Sequence, residues 1–190
     1  MSNGVDVRVV RRYAGALFGA AQQTGALDAV SRDLDVLHGL WQQVPALSHA
    51  MESPLLPAER KRALVSETLG ADLHPLTRTF LYLLIDKRRA DALTGVRDEF
   101  GRLADDARGI VRATATVALP LADRDRDALV AALAERTGKS VVLDVEVDGA
   151  VLGGVSVRMQ DTVLDGSLRG AFERLREQML RESQAAPAVR

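Results

Sequence analysis

The sequence predicts an α+β chain, an all-helical N-terminal domain followed by a small mixed α/β domain. Three observations lead there. Aromatic residues make up 4% of the chain and hydrophobic residues 47%, so Leu, Val and Ala must fill the core, a composition that favours helices. Through the first half, apolar residues recur at helical spacing. At Gly109 the pattern switches to strict alternation, the period of a strand. The switch sets the expected domains at residues 1–108 and 109–182, with "SQAAPAVR" at 183–190 as a flexible tail.

Val10, Tyr13, Ala14, Leu17, Phe18 and Ala21 form the stripe of a first helix, beginning near Val9 and interrupted by Gly25. Leu27, Val30, Leu34, Leu37 and Trp41 form a second, which Pro45 breaks; a short helical segment covers Ala46 to Met51. "SPLLP" reads as a turn. Pro57 suits the first position of the next helix and Gly70 its stop. After Pro75 comes an apolar helix from Leu76 to Ile85, then a last long helix from about Asp91 towards Ala107. In the second domain, Val111, Ala113, Ala115 and Val117 alternate with polar residues as a strand ended by Pro120. "ADRDRDALVAALAERTG" is a helix with an acidic start and Gly138 as its stop. Strands follow at 141–147 and from Val155, with a short one at Thr162 to Leu164. A final helix carries Leu168, Phe172, Leu175 and Met179 on one stripe.

The stretch "DGAVLGGVSV" raises the possibility of a phosphate loop, and with it an enzyme. Such a loop must deliver its glycines into a helix N-terminus, where free N–H groups and the dipole hold the anion. Here the glycines lead into an alternating strand, and no Lys-Ser or Lys-Thr pair follows. Asp148 and Gly149 instead read as a turn between antiparallel strands. Gly153 and Gly154 suit a bulge or a close approach of backbone. His38, His49 and His74 share no metal-ligand spacing. Asp123, Asp125 and Asp127 begin a run with alanines where a calcium loop needs glycine and glutamate, so an acidic helix start explains them. Ser167 follows Asp165 with no histidine placed to activate it and reads as a helix cap. No catalytic residue, cofactor or metal is therefore expected. The net charge of −1 speaks against a nucleic-acid adaptor using Arg8, Arg11, Arg12 and Lys87-Arg88-Arg89. The absence of cysteine excludes disulfides and thiol chemistry. No stretch is long and apolar enough to span a bilayer, and the arginine-bearing start is read as part of the first helix, not as a leader.

Two helices carry more apolar surface than a simple bundle needs. Around residues 8–22, Arg8, Arg11, Arg12 and Gln22 gather with Gly15 and Gly19. The remaining arc of roughly 200° is apolar, where about 100° suffices for a surface helix. Val9, Tyr13, Ala16 and Ala20 form one edge of it. The helix after Pro75 is similar, with Leu76, Phe80, Leu83 and Leu84 on one face and Leu81, Tyr82 and Ile85 around the rest. Either these are central helices, or together they line a groove for a partner helix.

Four segments occur in a familiar order and spacing: "RRYAGALFGAA", "FLYLLIDKRRADAL", "ATVALPL" and "VDGAVLGGVSVRMQDTVLDGSLRGAFERL". Together, from about Val9 to Leu180, they resemble the delta subunit of bacterial F-type ATP synthase, a relative of the mitochondrial oligomycin-sensitivity-conferring protein. The resemblance implies a six-helix N-terminal bundle on the catalytic head. Its first and fifth helices would hold the N-terminal helix of an α subunit, through Val9, Tyr13, Ala16, Ala20, Leu76, Phe80 and Leu83. It implies a C-terminal domain, with turns at Gly149, Gly153, Gly154 and Asp165, that holds the peripheral-stalk b subunits. The chain would be a non-catalytic stator present in single copy. It would sit at the cytoplasmic face of the bacterial inner membrane and touch the membrane only through the complex. One departure stands out: the family often has Asn-Gly-Arg where this chain has Lys87-Arg88-Arg89, so Arg88 replaces a turn glycine.

Overall fold

The computed structural model describes residues 6–70, 72–149, 153–159, 162–167 and 172. The chain is α+β and divides into two compact units, Met1–Ala104 and Asp105–Arg190. The division falls inside the last turn of a helix, slightly before the change of sequence pattern at Gly109.

The first unit contains α1 (Val7–Gln23), α2 (Leu27–Gln43), α3 (Pro45–Glu52), α4 (Ala58–Thr68), α5 (Pro75–Asp86), a 3₁₀ turn (Ala90–Ala92) and most of α6 (Leu93–Ala107). Its core is mainly aliphatic, as the composition requires: Val30, Leu34, Leu37, Met51, Val65, Leu84, Leu93 and Val96 are buried together with the rings of Trp41, Phe80 and Phe100. Caps define several ends. Asp6 accepts from the Arg8 N–H at the start of α1. Pro45 opens α3, whereas Pro57, expected as the first helical residue, lies one position before α4 as its cap. At the start of α5, His74 Nδ1 accepts from the Leu76 N–H at 3.2 Å, and the His74 N–H donates to Asp33 of α2 at 2.8 Å. Polar contacts tie the helices further. Arg97 of α6 donates to Asp35 of α2 at 2.7 Å, and Arg62 of α4 pairs with Asp86 of α5. Arg62 holds the Asp86 carboxyl below its ordinary range, chiefly by hydrogen bonding.

The end of α5 is unusual. Arg88 has φ 54, the one non-glycine residue in the left-handed region among the described residues. The Arg89 N–H donates to the Leu84 carbonyl at 2.8 Å and the Arg88 N–H to the Ile85 carbonyl at 3.0 Å. This is the Schellman pattern, which satisfies the last carbonyls of a helix by turning one residue left-handed, a place glycine ordinarily takes. Arg88 occupies it without glycine's freedom.

The second unit holds a sheet of β1 (Ile110–Val117), β2 (Ser140–Val147), β3 (Val155–Met159) and β4 (Thr162–Asp165) in the order β2-β1-β3-β4, with α7 (Asp123–Thr137). β1 is central. It pairs in parallel with β2, from Ile110 opposite Ser140 to Val117 opposite Val147, and antiparallel with β3. Helix α7 is the crossover between the parallel strands, which cannot be joined by a tight turn. Val111, Ala113 and Ala115 of β1, Leu143 of β2, and Val157 and Met159 of β3 share a core with Leu133 of α7. Arg112 of β1 anchors the buried carboxylate of Asp105 at 2.6 Å.

This topology corrects the expectation at Asp148-Gly149. β2 and β3 do run in opposite directions, but they are not hydrogen-bonded neighbours; β1 lies between them. The turn therefore begins a connection across β1 and does not close a hairpin. The reason is that β1 buries every second side chain and so takes the centre of the sheet. Gly153 and Gly154 both have positive φ. A Cβ on Gly154 would lie 2.4 Å from the Gly166 carbonyl oxygen and 3.0 Å from Ser167 Cα, so two backbones meet there. Asp165 ends β4 and its carboxylate accepts from the Ser167 N–H at 2.8 Å; the expected helix-cap role of Ser167 lies at the edge of the described residues. The expected final helix, Phe172 apart, falls outside them.

Two substitutions test this account. Arg88→Gly should stabilise the protein by about 0.5–1 kcal/mol, because relief of left-handed strain exceeds the added freedom of the unfolded chain; urea unfolding reads it. Gly154→Ala should destabilise by about 2–4 kcal/mol, since the new methyl meets a carbonyl that cannot rotate away.

Candidate interaction surface on α1 and α5

The apolar arc of α1 is divided between neighbours. Ala14, Leu17 and Ala21 are buried, and Val10 and Phe18 pack at the edge of the same core. Phe18 meets Phe100 of α6 edge-on, ring centroids 6.0 Å apart. Val10 lies over Gly95 of α6 so closely that a Cβ there would sit 3.0 Å from a valine methyl. The other edge reaches α5: Tyr13 and Phe80 stack edge-to-face at 6.4 Å and 71°. Thus α1 lies against both α5 and α6, and the two edges read from the sequence have different neighbours.

Of the seven residues expected on a partner-facing strip, Ala16 and Leu83 are exposed and Val9, Tyr13, Ala20 and Leu76 are half-buried. Phe80 differs: at 6% exposure its ring belongs to the core and offers a partner almost no surface. The contact that the structure shows directly between the two helices is Tyr13 with Phe80. Arg8, Arg11 and Arg12 are exposed on α1 beside this edge, with the Arg12 guanidinium 5.8 Å from the centre of the Tyr13 ring. The strip is apolar and flanked by cations, and on α1 it is built mostly of small side chains. Ala16 and Ala20 let another helix axis come close. Its chemistry is that of helix packing. Gly95 was not singled out from the sequence; its position four residues after Asp91 in an otherwise helical pattern was the available signal, since a glycine inside a helix often marks close packing.

Elsewhere, the glycines at 153 and 154 run into β3 and not into a helix, so they do not build a phosphate cradle. Among the described residues, no group of three His, Asp or Glu side chains is placed to hold a metal. No described helix is long and apolar enough to cross a membrane.

The comparisons with known proteins decide the family. The description "ATP synthase delta (OSCP) subunit" matches residues 9–179. The chain belongs to the ATP synthase delta (OSCP) subunit family. An ATP synthase subunit delta of Salinibacter ruber is 42% identical over 179 residues, covering 92% of this chain and 94% of the relative. One from Azorhizobium caulinodans is 39% identical over 169 residues, covering 88% and 91%. In fold, the chain resembles a subunit in the Toxoplasma gondii mitochondrial ATP synthase hexamer, with TM-score 0.68 and 24% identity over 90% of this chain and 97% of that one. Members of the delta/OSCP family are structural stator subunits of F-type ATP synthase and carry no catalytic site, and this chain is one of them.

In this delta/OSCP chain the two edges of α1 should separate by mutation. Leu17→Ala, on the core edge, should cost about 2–5 kcal/mol of stability. Ala16→Asp, at an exposed position, should change stability by less than about 0.5 kcal/mol. Chemical denaturation of both variants checks the assignment, and equal losses would overturn it.

Proposed function

We propose that the first unit, a six-helix bundle, holds the N-terminal helix of an ATP synthase α subunit along the strip formed by Val9, Tyr13, Ala16 and Ala20 of α1 and Leu76 and Leu83 of α5. The second unit holds the C-terminal ends of the peripheral-stalk b subunits. So placed, a single copy at the cytoplasmic face of the membrane joins the catalytic head to the stalk. It keeps the head from turning with the rotor, and proton-driven torque is spent on ATP synthesis. The observation that carries this reading is the apolar edge of α1 left only partly covered beside α5, with Ala16 exposed, while the opposite edge is occupied by α6. The burial of Phe80 changes its part. It supports Tyr13 from below and is not itself an anchor for the partner.

The test is calorimetric binding of a peptide from the α-subunit N-terminus. Ala16→Asp places a carboxylate in the apolar contact and should cost several kcal/mol of binding. Leu83→Ala should cost about 1–2 kcal/mol. Wild-type affinity in Ala16→Asp would show that the partner sits elsewhere. A chain ending at Arg108 should remain helical by circular dichroism and keep the peptide; an unfolded spectrum would move the functional boundary.

A further inference from the structure

The first unit holds a cavity of about 710 Å³ lined by none of the strip residues named above. It is bounded by the end of α3, the turn after it, the start of α4, and the end of α5 with the 3₁₀ turn. Its volume is that of a small-molecule site. Met51, Leu56, Pro57 and Ile85 give it apolar walls.

Two cations face this space. Lys61 is only 7% exposed, and its ammonium donates to the Met51 carbonyl at 2.6 Å. That bond closes the end of α3 and uses one of three N–H donors. No carboxylate pairs with Lys61 among the described residues; its charged neighbour is Arg88, which also lacks an ion-pair partner there. Burial first, and then the Arg88 charge, pull the Lys61 ammonium below the usual lysine range. A buried cation beside a second cation is an arrangement that an anion relieves. The start of α4 adds to it. Pro57 caps the helix without a side-chain hydrogen bond, and Ala58, whose N–H has no intrahelical partner, lines the same cavity. The acidic members of the wall limit the choice of anion. Asp86 is committed to Arg62, while Glu52 and Asp91 are exposed at the rim and repel a multiply charged ligand.

We propose that this cavity binds a free monocarboxylate with an apolar body, its carboxylate held by Lys61 and Arg88 and its body against the Met51, Leu56 and Ile85 walls. Arg88 then has a use in the left-handed position where glycine would cost less: only a side chain there can bring a second positive charge to the cavity. Dicarboxylates and nucleotides are disfavoured by the acidic rim.

Hexanoate is a suitable probe, titrated into the ¹⁵N-labelled full chain and followed by amide shifts. Wild type should show saturable millimolar binding at Ala58, Lys61 and Arg88, and hexanol and hexylamine should show none. Lys61→Met, which keeps an unbranched apolar stem and removes the ammonium, should weaken hexanoate binding about tenfold or more. Arg88→Gln, at an exposed side chain, should weaken it several-fold and decides the matter if Lys61→Met does not fold. No saturable shift in wild type, equal binding of hexanol, or wild-type affinity in a folded variant would each overturn the proposal.

Discussion

The partner-facing strip proposed for the first unit depends on the edge-to-face contact of Tyr13 with Phe80. A T-shaped pair fixes both the distance between two helices and the rotation of each about its axis. Phe80 is held in the core among side chains of α5 that are themselves buried. Tyr13 rests on it, and α1 is thereby turned so that Leu17 and Ala21 go inward and Ala16 goes outward. Phe18 and Val10 hold the other edge against α6. With α1 fixed from two sides, Ala16 is left exposed and Val9 and Ala20 only half-buried. The partly exposed strip is thus a result of packing geometry.

Much of this was legible in sequence, for identifiable reasons. The helices of the first unit announce themselves through long periodic stripes punctuated by Gly25, Pro45, Pro57 and Pro75, and the strand period after Gly109 is plain. The two edges of α1 could be read from a wheel because angular position on a helix follows directly from spacing. What could not be read was which neighbour each edge meets, since contacts such as Val10 with Gly95 join residues far apart in the chain. The role of Phe80 was obscured for the same reason: a wide apolar arc does not say which part of it lies deepest. Strand pairing was likewise hidden. The alternation of β2 and β3 is compatible with a hairpin, and only the stronger burial of β1 sets it between them.

The polar groups show a division of labour. Arg62 with Asp86, Arg97 with Asp35, and His74 with Asp33 all join one helix to another at the surface or partly buried. Exposed pairs of this kind contribute little energy singly. Their value is in orientation: they fix the azimuth of helices whose aliphatic contacts would tolerate some sliding. Lys61 is the exception, a buried cation whose geometry is set by a helix-end carbonyl and not by an acid.

The central place of β1 has a bearing on how the chain comes into being. The helices of the first unit are consecutive in sequence, and those joined by short loops can meet as they leave the ribosome. β1 is made next, but its parallel partner β2 exists only after the whole of α7 has been synthesised, and β3 comes later still. For that interval β1 is a strand with one apolar face and both backbone edges unpaired, the feature that most readily recruits a foreign strand. Biogenesis of the second unit is therefore paced by synthesis of its crossover helix, and a pause in translation within α7 would prolong the moment at which the nascent subunit is most prone to aggregate.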